Sequence, residues 1–169
     1  MSWKDFQNQA FTHKNKMYRF AMRFVGNPAE AEDIVQEVFI KLWKQKDRLE
    51  SFSNLEAWCM KLTRNLSIDK LRSKHRRVED IDGARHMASG GVDPYKKAEM
   101  SDMIRQVREI MRTLPENQRI VLQLRDIEGM SYQEVADAAD LTLNQVKVNL
   151  FRARQQIRTQ LANMESYGL

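Results

Sequence analysis

The stretch SYQEVADAADLTLNQVKVNLFRAR, residues 131–154, predicts the fold more directly than any other part of the chain. It contains two signals for the start of a helix: Glu134 follows Ser131 by three residues, and Gln145 follows Thr142 at the same spacing. In each pair the two side chains can satisfy the unpaired backbone N–H groups of a first helical turn. Because the first helix has room for only about ten residues before the second begins, the stretch predicts a helix-turn-helix.

The second of these helices has an apolar face and a polar face. The apolar residues recur at helical spacing and predict a buried stripe, formed by Val146, Leu150, Ala153, Ile157 and Leu161. The opposite face presents amides, a valine and cations, and no acidic residue occurs from Leu141 to Met164. Such a face suits a DNA groove, which is walled by phosphates. A plain helical hairpin with a solvated basic face is the alternative interpretation.

Glycine and proline indicate where the chain divides. The longest break in apolar periodicity runs from about residue 76 to residue 97 and contains Gly83, Gly90, Gly91 and Pro94. We therefore predict an all-α protein with two small helical domains, residues 6–77 and 99–165, joined by a flexible linker over residues 78–98. The C-terminal domain contains the helix-turn-helix.

Composition narrows the class of protein. The net charge of +5 and the isoelectric point near 9.4 favour a polyanionic partner. The single cysteine, Cys59, lies in an apolar stretch and is expected to be an inert core thiol. There is no P-loop, G-x-S-x-G or H-E-x-x-H motif, so we expect neither an enzyme nor a cofactor. The chain lacks an apolar signal core and any run of membrane-spanning length, so we expect a cytoplasmic protein without membrane insertion.

Charge is distributed unevenly in the N-terminal domain. Four acidic residues and no lysine or arginine lie between Gly26 and Ile40, on a helix that Asn27 is expected to cap. The side of this helix away from its apolar face carries Asp33, Gln36, Glu37 and Ile40. An isoleucine among carboxylates suits a protein-binding stripe with an apolar centre and an acidic rim. A single exposed apolar residue, which is common on any surface, is the alternative.

A basic helix follows, with a start signal at Ser53 and Glu56. Seven basic residues and one acid, Asp69, lie between Lys61 and Arg77. Together with the polar loop at residues 47–54, these cations would suit a single nucleic-acid strand with its bases turned outward. The alternatives are a solvated basic face and, for Asp69, a local ion pair.

Several segments resemble those of bacterial sigma factors. GNPAEAEDIVQEVFIKLW, residues 26–43, resembles the polymerase-binding segment. AW at residues 57–58 and TRNLSIDKLR at residues 63–72 resemble the promoter-opening segment. LPE at 114–116, EGMSYQEVA at 128–136, VK at 146–147 and LFRAR at 150–154 resemble the domain that reads the upstream promoter element. With only these two domains, the chain is similar to the extracytoplasmic-function (ECF) group of the sigma-70 family.

The resemblance implies a role for each segment. The stripe of Asp33, Gln36, Glu37 and Ile40 would dock on the clamp helices of the largest subunit of core RNA polymerase. The residues that would capture and melt the minus-ten element of promoter DNA are Ser53, Asn54, Lys61, Arg64, Asn65, Asp69 and Arg72. Those that would read the minus-thirty-five element as duplex are Asn144, Gln145, Lys147, Val148, Asn149 and Arg152.

Two departures from the family pattern and three questions remain. Asp140 occupies a turn position where the family often has glycine, although aspartate can adopt a left-handed conformation. The run QVKVN at residues 145–149 differs from the frequent TVKSR, which leaves the promoter sequence open. The activating signal is also open, as is whether an anti-sigma factor holds the chain inactive. The rival function, a stand-alone helix-turn-helix regulator, would leave residues 26–77 unexplained.

Overall fold

The computed structural model describes residues 2–81 and 101–166, and every regular element within those two ranges is a helix. The chain divides into two compact units, Met1–Gly91 and Val92–Leu169. The predicted all-α class is therefore confirmed. We describe each unit separately as unit 1 and unit 2.

Within residues 2–81, unit 1 has four α-helices and a short 3-10 turn. They are α1 (Trp3–Thr12), α2 (Lys14–Val25), α3 (Pro28–Lys44), the 3-10 turn (Lys46–Ser51) and α4 (Leu55–Ile81). Helix α2 packs against both α3 and α4. Helix α4 continues to Ile81, four residues into the segment expected to be a linker. Residues 82–98 of that segment lie outside the described residues.

Local signals set the bounds of these helices. Gly26 ends α2 in the left-handed conformation, with φ 66°. Asn27 then caps α3 by accepting the Glu30 N–H at 3.2 Å, with Pro28 in the first helical position, as predicted. The predicted start of α4 at Ser53 is wrong by one residue.

The cap of α4 is Asn54, whose Oδ1 accepts the Ala57 N–H at 2.9 Å. Glu56 does not complete a capping box with Ser53. Its carboxylate instead accepts a hydrogen bond from Lys16 Nζ on α2, at 2.6 Å. The Glu56 side chain, which the local pattern predicted to be part of a capping box, therefore forms a tertiary ion pair instead.

The described part of unit 2, residues 101–166, has four α-helices and one π-helical segment. They are α5 (Asp102–Thr113), α6 (Glu116–Leu122), the π segment (Gln123–Ile127), α7 (Tyr132–Ala139) and α8 (Leu143–Ser166). Helices α7 and α8 form the predicted helix-turn-helix. Asp140 stands between them in the left-handed conformation, with φ 53° and ψ 45°, so the expected tolerance of aspartate is confirmed.

Both capping boxes of the helix-turn-helix are present. The Ser131 hydroxyl accepts the Glu134 N–H at 3.1 Å and the Glu134 carboxylate accepts the Ser131 N–H at 3.0 Å. The Thr142 hydroxyl accepts the Gln145 N–H at 3.1 Å, and the Gln145 side chain accepts the Thr142 N–H at 2.9 Å. In α8, Val146, Leu150 and Ala153 are buried as predicted, and the stripe becomes half-buried beyond them.

Candidate functional surfaces

The acidic and apolar stripe of α3 lies wholly at the surface. Asp33, Gln36, Glu37 and Ile40 are all exposed, and Ile40 retains 53% of its accessible surface. The opposite face of α3 is buried in the core, through Ala31, Ile34, Val35, Val38 and Leu42. Since the core is formed by other residues of the helix, the stripe is available for a partner without unfolding.

Ile40 belongs to a larger apolar surface that sequence reasoning missed. A groove of about 660 Å³ runs beside the stripe, and a cavity of about 250 Å³ near Trp3 and Trp43 continues it. The two share Phe11, Phe39 and Ile40, and the rings of Phe11 and Phe39 are 4.9 Å apart. Ile40 is therefore not an isolated exposed residue. Phe11 lies on α1, a different helix from Ile40, so helical periodicity could not associate them.

The predicted minus-ten residues of α4 form one line along the helix. Lys61, Asn65, Asp69 and Arg72 recur at nearly every turn, and the last three are exposed. Arg64 donates to the Oδ1 of its neighbour Asn65 through Nε at 3.0 Å. One face of the helix therefore presents two cations, an amide and a carboxylate.

A cluster of tilted aromatic rings packs against the loop that precedes α4. Phe52 in this loop lies 5.8 Å from Phe6 on α1 and 5.2 Å from Trp58 on α4, measured between ring centroids. Ser53 is exposed beside Phe52, while Asn54 is half-buried because it caps α4. Ser53 is thus exposed next to an apolar aromatic cluster. Trp58, predicted as core, is half-buried in this cluster.

The core of unit 1 leaves Cys59 inaccessible. The side chain is fully buried, and burial raises the pKa of its thiol to about 12, with a smaller contribution from Glu56. The thiolate, which is the reactive form, is therefore almost absent at neutral pH. This agrees with the inert thiol expected from the sequence.

The outer face of α8 carries the predicted duplex-reading residues. Asn144, Gln145, Lys147, Val148 and Arg152 are exposed, and Asn149 is half-buried. Two of the amides have roles within the helix. The Gln145 amide oxygen completes the capping box, and Asn149 Nδ2 donates to the Gln145 carbonyl at 2.8 Å. The capping role of Gln145 was predicted from the sequence, whereas the hydrogen bond of Asn149 was not.

Phe151 is the residue of this face that sequence reasoning missed. Its side chain retains 62% of its accessible surface, although it is aromatic. It follows Asn144 by seven residues and Val148 by three, so it lies on the same side of α8. The signal was available in the sequence as an aromatic residue opposite the apolar stripe.

Arg154 is held by a residue distant in sequence. Its Nε lies 2.9 Å from Asp126 Oδ2 and its Nη2 lies 2.6 Å from Asp126 Oδ1. This pairing raises the pKa of the Arg154 guanidinium, chiefly through the hydrogen bonds to Asp126. Arg154 is therefore bound to the π segment, whereas Arg152, two residues earlier, faces outward.

Comparison with known proteins matches both units to one family. The sigma-70 region 2 family profile matches residues 11–77, and the sigma-70, region 4 profile matches residues 104–157. Over 167 residues the chain is 30% identical to the ECF RNA polymerase sigma factor SigE of Mycolicibacterium smegmatis, covering 98% of this chain and 63% of that protein. Over 161 residues it is 26% identical to the ECF RNA polymerase sigma factor SigW of Bacillus subtilis, covering 90% of this chain and 86% of that protein.

Solved structures show the same fold. The sigma factor RpoE, crystallised with the anti-sigma factor NepR from Bartonella quintana, is similar with a TM-score of 0.72 and 25% identity, covering 94% of this chain and 98% of that one. CnrH, in complex with the cytosolic domain of CnrY, has a TM-score of 0.67 at 21% identity, covering 95% of this chain and 89% of that one.

Two matched regions, one in each unit, indicate a factor for transcription initiation. The chain belongs to the ECF group of the sigma-70 family, since both of its units match that family. It is an alternative sigma factor. The match of region 2 to residues 11–77 accounts for the part of the chain that a stand-alone helix-turn-helix regulator would leave unexplained. No helix within residues 2–81 and 101–166 is long and apolar enough to cross a membrane.

Proposed function

We propose that unit 1 binds core RNA polymerase through Asp33, Gln36, Glu37 and Ile40, which dock on the clamp helices of the largest subunit. The observation that carries this proposal is the exposed stripe of α3 beside an apolar groove. The carboxylates form a charged rim that steers a basic partner, and the groove offers apolar area for a stable contact. The protein acts in the cytoplasm by binding and is not an enzyme.

Promoter opening is assigned to the loop before α4 and to the exposed line of α4. The line formed by Lys61, Asn65, Asp69 and Arg72, together with Arg64, follows a single strand by its phosphates and by hydrogen bonds to its bases. The aromatic cluster of Phe6, Phe52 and Trp58 supports this assignment, because a base that leaves the duplex needs an apolar surface to receive it. Ser53 and Asn54 would border that surface.

Unit 2 reads the minus-thirty-five duplex through the outer face of α8. Asn144 and Arg152 suit the edges of adenine and guanine, and Val148 suits a thymine methyl group. Phe151 adds a second apolar contact on the same face. Lys147 provides a point charge for a phosphate, which gives affinity without sequence preference.

We further propose that an anti-sigma factor regulates the chain. The solved RpoE structure contains the anti-sigma factor NepR, and the CnrH structure contains the cytosolic domain of CnrY. The apolar groove around Phe11, Phe39 and Ile40 is a surface that such an inhibitor could cover in competition with polymerase.

The decisive experiment reverses charge on the stripe. Glu37→Lys and Asp33→Lys should each weaken binding to core polymerase by about tenfold or more, because a cation on the stripe repels the basic partner that the proposal requires. The free energy of unfolding should change by less than about 0.5 kcal/mol, since both side chains are exposed. Asp47→Lys is a matched control, because Asp47 is an exposed carboxylate of the same unit outside α3.

Binding would be measured with purified core polymerase, and stability by thermal unfolding. If the stripe variants lose stability to the same extent as they lose binding, the stripe is structural. If Asp47→Lys weakens binding equally, net charge alone is responsible and the docking surface is misplaced.

A further inference from the structure

The segment between α6 and α7 is π-helical, which is unusual in itself. The Glu128 N–H donates to the Gln123 carbonyl five residues earlier, at 3.0 Å. A π turn rotates the side chains that follow it away from the directions of an α-helix, and such turns often occur at functional sites. The two central residues, Arg125 and Asp126, both reach the helix-turn-helix.

Asp126 holds the recognition helix α8 from outside the helix-turn-helix. Both of its carboxylate oxygens accept from Arg154, at 2.9 Å from Nε and 2.6 Å from Nη2. The two residues are 28 positions apart in the chain, and their side chains are only partly exposed, at 33% and 41%. A paired, two-point contact between carboxylate and guanidinium fixes orientation as well as distance.

Arg125 holds the other helix of the motif. Its Nη1 donates to the Met130 carbonyl at 2.8 Å, and its guanidinium lies 4.8 Å from the centre of the Tyr132 ring. Met130 and Tyr132 flank the residue that caps α7. One short segment therefore contacts the start of α7 and the middle of α8 together.

The apolar core of unit 2 is one constraint on the rotation of α8. Only Val146, Leu150 and Ala153 on this helix are fully buried within the described residues, and contacts of this kind are not directional. Base reading in the major groove nevertheless requires side chains placed to within about 0.5 Å. A directional contact near the reading face would supply that constraint.

We propose that Asp126 is a positioning residue for promoter recognition, which fixes the recognition helix through Arg154 so that its outer face meets the minus-thirty-five bases in register. This inference rests on the proposed function of unit 2. Under this proposal the Arg154 guanidinium pairs with Asp126 rather than with a DNA phosphate. The pair therefore sets discrimination between upstream sequences and contributes little to general affinity for DNA.

The test compares Asp126→Asn, Asp126→Glu and Arg154→Gln in the full chain with core polymerase. Discrimination is the ratio of transcription from the preferred upstream element to that from single-base variants. It should fall about three- to tenfold for Asp126→Asn and Arg154→Gln. Asp126→Glu keeps a carboxylate that can pair with Arg154, so this variant should retain the discrimination of the wild-type protein. The control is Glu109→Gln, which removes a carboxylate from another surface ion pair of unit 2, 3.2 Å from Arg112.

The salt dependence of DNA binding separates positioning from phosphate contact. Under the proposal, Arg154→Gln leaves the slope of log affinity against log salt concentration near that of the wild-type protein. A phosphate contact would instead lower the slope by about one unit and weaken all promoters alike, which would overturn the proposal. Unchanged discrimination in both Asp126→Asn and Arg154→Gln would overturn it as well.

A failure of the proposed function of unit 2 would give a different experimental result from a failure of the Asp126 proposal. If the wild-type chain does not direct core polymerase to promoters in a manner that depends on the upstream element, the proposed function of unit 2 fails before any variant is compared. Thermal unfolding of each variant verifies that unit 2 remains folded. Because either partner of the pair can be changed, one unstable variant does not prevent the test.

Discussion

Asn54 combines an observed structural role with a predicted role in DNA binding, and substitution can separate them. Its Oδ1 caps α4 by accepting the Ala57 N–H at 2.9 Å. Asn54→Ala removes this hydrogen bond and should lower the free energy of unfolding by about 1 kcal/mol. In a unit of this size, that loss corresponds to a fall in Tm of about 4–8 °C. Circular dichroism during thermal unfolding measures the effect.

Asn54→Asp is the matched control, because aspartate retains the accepting oxygen. Its negative charge also interacts favourably with the N-terminus of α4, so its stability should stay within about 0.5 kcal/mol of the wild-type value. Aspartate lacks the amide donor and repels phosphates, so promoter opening should still decrease. Opening would be measured by permanganate reactivity of unpaired thymines.

Two results would refute this reasoning. Equal destabilisation by Asn54→Ala and Asn54→Asp would show that the hydrogen bond to Ala57 does not stabilise α4. Normal promoter opening by Asn54→Asp would show that Asn54 acts only as a cap.

Three further predictions concern the recognition helix and the core. Thr142→Ala and Gln145→Ala should each destabilise unit 2, because each removes part of the capping box. The loss should be about 0.5–2 kcal/mol for Thr142→Ala, and thermal unfolding measures it. Arg152→Ala should change which upstream sequences are used, whereas Lys147→Ala should weaken all of them and lower the salt slope by about one unit, as tested on a randomised upstream element. Cys59 should resist iodoacetamide at pH 8 in the folded protein and react after denaturation, because burial raises its pKa to about 12 and the thiolate forms only as the pH approaches that value. Equal labelling of folded and denatured protein would contradict the burial of this thiol.

Signals between residues a few positions apart could be interpreted from the sequence with good accuracy. The capping boxes at Ser131 and Thr142 and the cap at Asn27 occur as predicted, because each depends on atoms within one helical turn. The start of α4 was displaced by one residue, to Asn54. Glu56 instead pairs with Lys16, which is 40 residues away in the chain. A local pattern cannot include such a partner.

The sequence by itself determined the helical class, the helix-turn-helix and the exposed stripe around Glu37. Periodicity and capping depend on residues that are neighbours in the chain, so both can be recognised from the amino-acid sequence alone. Only the tertiary structure decided that Ile40 joins Phe11 in a groove, and that Arg154 on the recognition helix binds Asp126. Such contacts form when chain folding brings distant residues within a few ångströms, and no spacing rule along the sequence encodes that distance.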